Sequence, residues 1–91
     1  MKAVLFYESA DDVRTRALPH LSAHRARWAE FVAAGTLLMI GTFGDPQAEG
    51  SMGIFTGREA AEVFARGDPF VLHGVVRHWE IRDWIEALVP D

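Results

Sequence analysis

Four short apolar runs alternate with two stretches of helical periodicity along this chain. Ala3-Val4-Leu5-Phe6-Tyr7 is rich in branched and aromatic residues with no polar break, which predicts a strand covered on both faces. Asp11 to Ala17 is polar and fits a loop or a first helical turn, and Pro19 favours the first position of a helix over its interior, so the main helix starts or kinks there. From there to Ala34, the residues Ala17, Leu21, His24, Trp28, Phe31 and Val32 share one helical arc, with Arg27 and Glu30 on the other side and Gly35 as the stop. Leu37-Leu38-Met39-Ile40 is a second strand apolar on both faces, closed by Gly41-Thr42-Phe43. The Gly/Asp/Pro-rich segment Gly44 to Gly50 is a loop to a third strand, Met52-Gly53-Ile54-Phe55.

Thr56-Gly57-Arg58-Glu59 has the form of a capping box and announces a short helix with Ala60, Val63 and Phe64 inward. Gly67 stops that helix in a left-handed conformation, and Asp68 is biased away from helical geometry by Pro69. Val75 to Arg82 is the fourth strand, with Val75, Arg77, Trp79 and Ile81 on one side and Val76, His78, Glu80 and Arg82 on the other. The tail from Asp83 to Val89 is apolar enough to pack against something. This order predicts an α+β fold, a ferredoxin-like βαββαβ unit with a four-stranded antiparallel sheet and both helices on one face, as a single domain over residues 1–91. Strands apolar on both sides need a cover on the face without helices. A second copy supplies it, so the expectation is a homodimer through the sheet face, a dimeric α+β barrel enclosing a cavity for a small molecule.

Composition narrows the partners. At 91 residues, 49% of them hydrophobic, the chain folds as one domain with a modest core. A net charge of −4 without a run of Lys or Arg argues against nucleic acid or an anionic membrane. The first apolar run is too short for a signal peptide or a membrane span, which points to the cytoplasm. With no cysteine, disulfides, thiolate metal sites and a Cys nucleophile are excluded.

The candidate chemistry centres on His24 and Asp68. His24 sits between Leu21 and Trp28 on the buried arc, where leucine would cost less. Asp68 lies in the stretch Gly67-Asp68-Pro69-Phe70-Val71-Leu72-His73-Gly74, next to apolar residues, and a carboxylate so placed needs a partner. Two readings stand for His24. In one it is a core histidine donating to a backbone carbonyl; in the other Asp68 accepts from one ring nitrogen, fixes the tautomer and leaves the second nitrogen facing a pocket as a general acid or base. His20 and His24 are one helical turn apart, as two metal ligands can be, but without an H-E-x-x-H pattern, and with His73 and His78 only flanking the last strand, no metal is assigned. Trp28, Trp79, Trp84, Phe6, Phe43, Phe55 and Phe70 offer aromatic surface that serves a pocket or a core equally. Ser9, Ser22 and Ser51 lack a nucleophile elbow, and Gly50-Ser51-Met52-Gly53 lacks the pattern of a phosphate loop.

Ala23-His24 eleven residues before Gly35, the strand Leu37-Leu38-Met39-Ile40-Gly41, and Asp68-Pro69-Phe70-Val71 with Gly74 resemble together the YCII-related (YciI-like) family. The resemblance implies a dimeric α+β barrel in which His24 and Asp68 are a catalytic pair. It also implies kinship with muconolactone isomerases and with dehydrochlorinases of chlorinated hydroxyquinols. Thr42, where the family often has proline, and His73, where a small residue is common, would reshape the cleft. The expectation is a cofactor-free enzyme of lyase or isomerase type, moving a proton on a small cyclic or aromatic-derived substrate. Its site would combine His24 and Asp68 with substrate contacts from Trp28, Thr42, Phe70 and His73. The alternatives are a non-catalytic ligand-binding or accessory dimer, and an oxygen-using monooxygenase.

Overall fold

A computed structural model describes residues 1–89. Strand β1 (Lys2–Ser9) leads into a short helix α1 (Val13–Ala17), a 3-10 turn (Leu18–His20) and the long helix α2 (Leu21–Ala33). Strand β2 (Leu37–Thr42), helix α3 (Pro46–Glu49), strand β3 (Ser51–Phe55), helix α4 (Arg58–Gly67), helix α5 (Pro69–Leu72) and strand β4 (Val76–Trp84) follow. The sheet order is β2-β3-β1-β4 with every neighbouring pair antiparallel, the expected ferredoxin-like α+β topology. Pro19 is the second residue of the 3-10 turn, where its missing N–H costs nothing, and the chain bends there into α2.

Register assigns the faces. Ala3, Leu5 and Tyr7 stand opposite Phe55, Gly53 and Ser51 on one side and Asp83, Ile81 and Trp79 on the other. This face meets the helices, and the core forms where Ala3, Leu5, Tyr7, Leu37 and Phe55 pack on Ala61, Phe64 and Ala65 of α4, with Trp28 and Phe31 of α2 closing one side. The other face carries Val4, Phe6, Met52, Ile54 and Met39. Met39 is 66% exposed and Leu38 45%, so the apolar side of β2 lies open in the single chain.

Several local expectations give way to longer-range contacts. The capping box does not form: Gly57 is the N-cap, no side chain caps it, and the Thr56 N–H is already spent on the Thr36 carbonyl. With α4 starting at Arg58, its inward arc is Ala61, Phe64 and Ala65, and Val63 is exposed. Val32, too, faces solvent. Arg27, expected on the outer side of α2, lays its guanidinium against α4, where Nε and Nη2 donate to the carbonyls of Phe64 (3.1 Å) and Val63 (2.7 Å). Gly67 is not left-handed; its helix ends at the extended Asp68, and the left-handed glycine of this stretch is Gly74 (φ 72°). The loop after β2 contains α3, capped by the Asp45 side chain.

In β4 the register slips between Glu8 and Ser9, so Val76 joins Trp79 and Ile81 on the core side. Arg77, expected to share that side, instead pairs with Asp11 at 2.6 Å in solvent. A bulge re-aims side chains in this way because one strand gains a residue that its neighbour lacks. The strand runs on to Trp84, and beyond it Ile85 and Leu88 are exposed.

Candidate active site

Asp68 is the one charged residue that the fold buries completely among the described residues. Pro69 keeps its backbone extended (φ −69°, ψ 125°), which makes it the N-cap of α5, and its Oδ1 accepts from the Phe70 N–H at 3.2 Å. The same oxygen lies 2.8 Å from Nδ1 of His24, and Oδ2 accepts from the Tyr7 hydroxyl at 2.7 Å. A carboxylate taking N–H and O–H donors on both oxygens is an acceptor toward the imidazole as well, so Nδ1 of His24 carries the proton and, in the neutral ring, Nε2 holds the lone pair. The ring is clamped on a second side: Phe70 stacks on it at 3.8 Å between centroids and 8° between planes, while Phe64 meets it edge-on.

His24 keeps 13% of its side-chain surface. Nε2 has no partner among the described residues, and no buried side-chain nitrogen or oxygen is left unpaired. It is therefore the open end of the chain Tyr7–Asp68–His24.

This end belongs to a groove of about 310 Å³ between α2 and the β2–β3 half of the sheet. Its floor is Leu5, Tyr7, Gly53 and Phe55, its helical wall Leu21, His24, Arg25 and Trp28, and its rim includes Gly41 and Thr42. Small residues at Gly41, Ser51 and Gly53 leave the space open. Of the residues singled out in the sequence, His24, Trp28 and Thr42 meet here, with Asp68 directly behind His24. Phe70 acts on the site through its stack and does not line the groove. His73 lies outside it, stacked on His20 at 4.2 Å and 1°, which ties the end of α5 to the start of α2. His20 thus turns to His73 and not to His24, and His78 projects from the sheet face without helices, opposite Glu8. Of the seven aromatics weighed as pocket walls, only Trp28 and Phe55 line this groove.

Tyr7 and Arg25 are the members that the sequence reading missed. Tyr7 closes an apolar run, and its hydroxyl is the only side-chain polar atom in that run; a buried hydroxyl needs a partner. Burial first, and then the charge and hydrogen bond of Asp68, hold the phenol far above its ordinary value of 10.0, against an opposing pull from Arg27. A group whose pKa is raised on folding gives its full stabilisation below the unfolded value, here 10.0, and loses it as pH climbs toward the folded one. Since Tyr7 is the single tyrosine, near-ultraviolet phenolate absorbance reports it alone. We expect no phenolate signal until alkaline unfolding, with the two transitions coincident; a phenol that ionises in the folded protein near its ordinary pKa would disprove the buried bond. Tyr7→Phe should cost about 1–2 kcal/mol at neutral pH by leaving Asp68 short of one donor.

A family model for the YCII-related domain matches residues 1–85. Among solved structures, the chain is similar to 5-chloro-2-hydroxyhydroquinone dehydrochlorinase from Burkholderia phenoliruptrix AC1100, determined in complex with 2,5-dihydroxybenzoquinone. The TM-score is 0.75 at 18% identity, covering 96% of each chain, a likeness of fold. No curated protein matches the sequence.

Proposed function

The chain belongs to the YCII-related domain family, and from that premise we propose that it is a small enzyme of lyase or isomerase type that moves a proton on a cyclic substrate bound in the groove. The observation that carries this reading is the 2.8 Å contact between His24 Nδ1 and the fully buried Asp68, with Nε2 left open beside a groove. The dehydrochlorinase of like fold supports the lyase side of it. Nε2 takes a proton from a carbon next to a ring carbonyl, and the electron pair moves into that carbonyl as an enolate. Returning the proton to another carbon is isomerisation; expelling a β-substituent as an anion is elimination. Asp68 stabilises the imidazolium formed in between and keeps the ring in its productive tautomer. Thr42 and Trp28 are the substrate contacts of this reading, Phe70 and His73 its supports.

The sheet face without helices, with Leu38 and Met39 of β2 exposed on it, is the surface we assign to a second copy, which gives the dimeric barrel. A binding protein without turnover is the second reading, favoured by the apolar lining of the groove.

Proton abstraction can be tested before any product is known. A set of cyclic ketones and quinone-like rings is incubated in D₂O, and deuterium entering a ring carbon is followed by NMR. Wild type is expected to catalyse exchange on at least one ring, and His24→Gln to slow it about 10²–10⁴-fold. Tight binding without exchange on any ring would give first place to the binding reading.

A further inference from the structure

The groove has one charged side chain on its lining, and proton transfer gives it no task. Arg25 follows His24 on α2 and reaches the groove from the exposed side of the helix. Arg16, Arg27, Arg58, Arg77 and Arg82 are all held by a carbonyl or a carboxylate. Arg25 makes no hydrogen bond, ion pair or ring contact among the described residues. Among the described residues no Asp or Glu lines the groove, and Asp68, the anion behind His24 and Tyr7, is already held by three donors. A guanidinium at the edge of an apolar groove that no described residue neutralises is a receptor for an oxyanion, because the neighbouring apolar walls strengthen its field.

The rest of the lining fixes the shape of that anion. Trp28 gives flat apolar surface, and about 310 Å³ holds a single ring with short substituents. The planar fork of an arginine matches the two oxygens of a carboxylate. We propose that Arg25 determines specificity in this groove, which takes a small flat ring bearing one carboxylate, held by the guanidinium while the ring lies beside Nε2 of His24. The proposal rests on the reading of this groove as the substrate site. The chain as a whole is acidic, at −4, so the attraction is local and not a long-range steering of anions.

Benzoate, its neutral isostere benzamide and the non-planar cyclohexanecarboxylate are titrated into the protein while backbone resonances of Thr42 and Gly53 and the indole of Trp28 are followed by NMR. Benzoate should shift these signals with an affinity about tenfold above that of benzamide, as a charge-assisted pair requires, and above that of cyclohexanecarboxylate. Arg25→Met should bring benzoate down to the level of benzamide, while Arg14→Met, a change of the same kind on α1, should leave the ratio intact. Equal affinity for benzoate and benzamide, a preference that survives in Arg25→Met, or an absence of shifts at the groove would each overturn the role of Arg25. Equal binding of the non-planar acid would overturn the flat ring. In His24→Gln, which lacks the base and keeps Arg25, selectivity for the carboxylate should persist. In the wild type, carboxylate selectivity with no deuterium exchange counts against proton transfer alone, and exchange without that selectivity counts against this proposal alone.

Discussion

Asp68→Asn is expected to lower proton-transfer activity by about 10²–10⁴-fold while the protein still folds. The amide oxygen can take the place of Oδ1 and accept from His24 and from the Phe70 N–H, so the tautomer survives. What goes is the negative charge that stabilises the imidazolium. The amide NH₂ then faces the Tyr7 hydroxyl, which must turn and leave its own proton unpaired, at a cost of about 1–3 kcal/mol. Asp68→Ala is a different experiment. It strips three donors of their acceptor inside the core and should cost about 3–5 kcal/mol, a large part of what a domain of this size has. Deuterium exchange and urea unfolding on both variants separate the roles. An asparagine variant with full exchange activity would make Asp68 a structural residue only, and one that loses activity no further than Tyr7→Phe would place the effect in the hydrogen-bond network and not in the charge.

Gly50→Ala is the second large effect, and it needs no substrate to measure. Gly50 follows α3 with φ 75° and ψ −147°, a conformation that only glycine adopts without strain. A Cβ there would lie 2.0 Å from the carbonyl oxygen of Tyr7, which is backbone and cannot swing aside. Either α3 detaches from the sheet or β1 shifts, and a shift of β1 carries the Tyr7 hydroxyl away from Asp68. We expect a loss of about 3 kcal/mol or more, or an insoluble product, read as the midpoint of urea unfolding. Gly44→Ala, in the same loop with ordinary φ and only the end of Glu49 nearby at 4.0 Å, should change stability by less than about 1 kcal/mol. Equal effects at the two positions would show that strain and clash at Gly50 are not what holds the loop.

These sites mark the limit of what local sequence conveys. Ala3 to Tyr7 and Leu37 to Ile40 are strands because branched and apolar runs of that length favour a sheet, and Gly35 ends α2 because φ 80° costs glycine nothing. Pro69 fixes the extended backbone at Asp68 from the adjacent position. Such choices are made by neighbours within a few residues, and the sequence determined them, along with the fold class; for His24 it left a backbone carbonyl and the Asp68 carboxylate both open as partners. Which way Phe70 and His73 turn was beyond its reach, as was the failure of Thr56 to cap α4. Tyr7 is separated from Asp68 by 61 residues and His24 by 44, so their meeting depends on the register of β1, the rotation of α2 and the bulge in β4 acting together. Only the tertiary structure decided that a tyrosine completes the pair and that an unpaired arginine stands beside it. A side chain's local pattern says whether it is buried, while its partner is chosen by whichever distant segment packing brings to the same place.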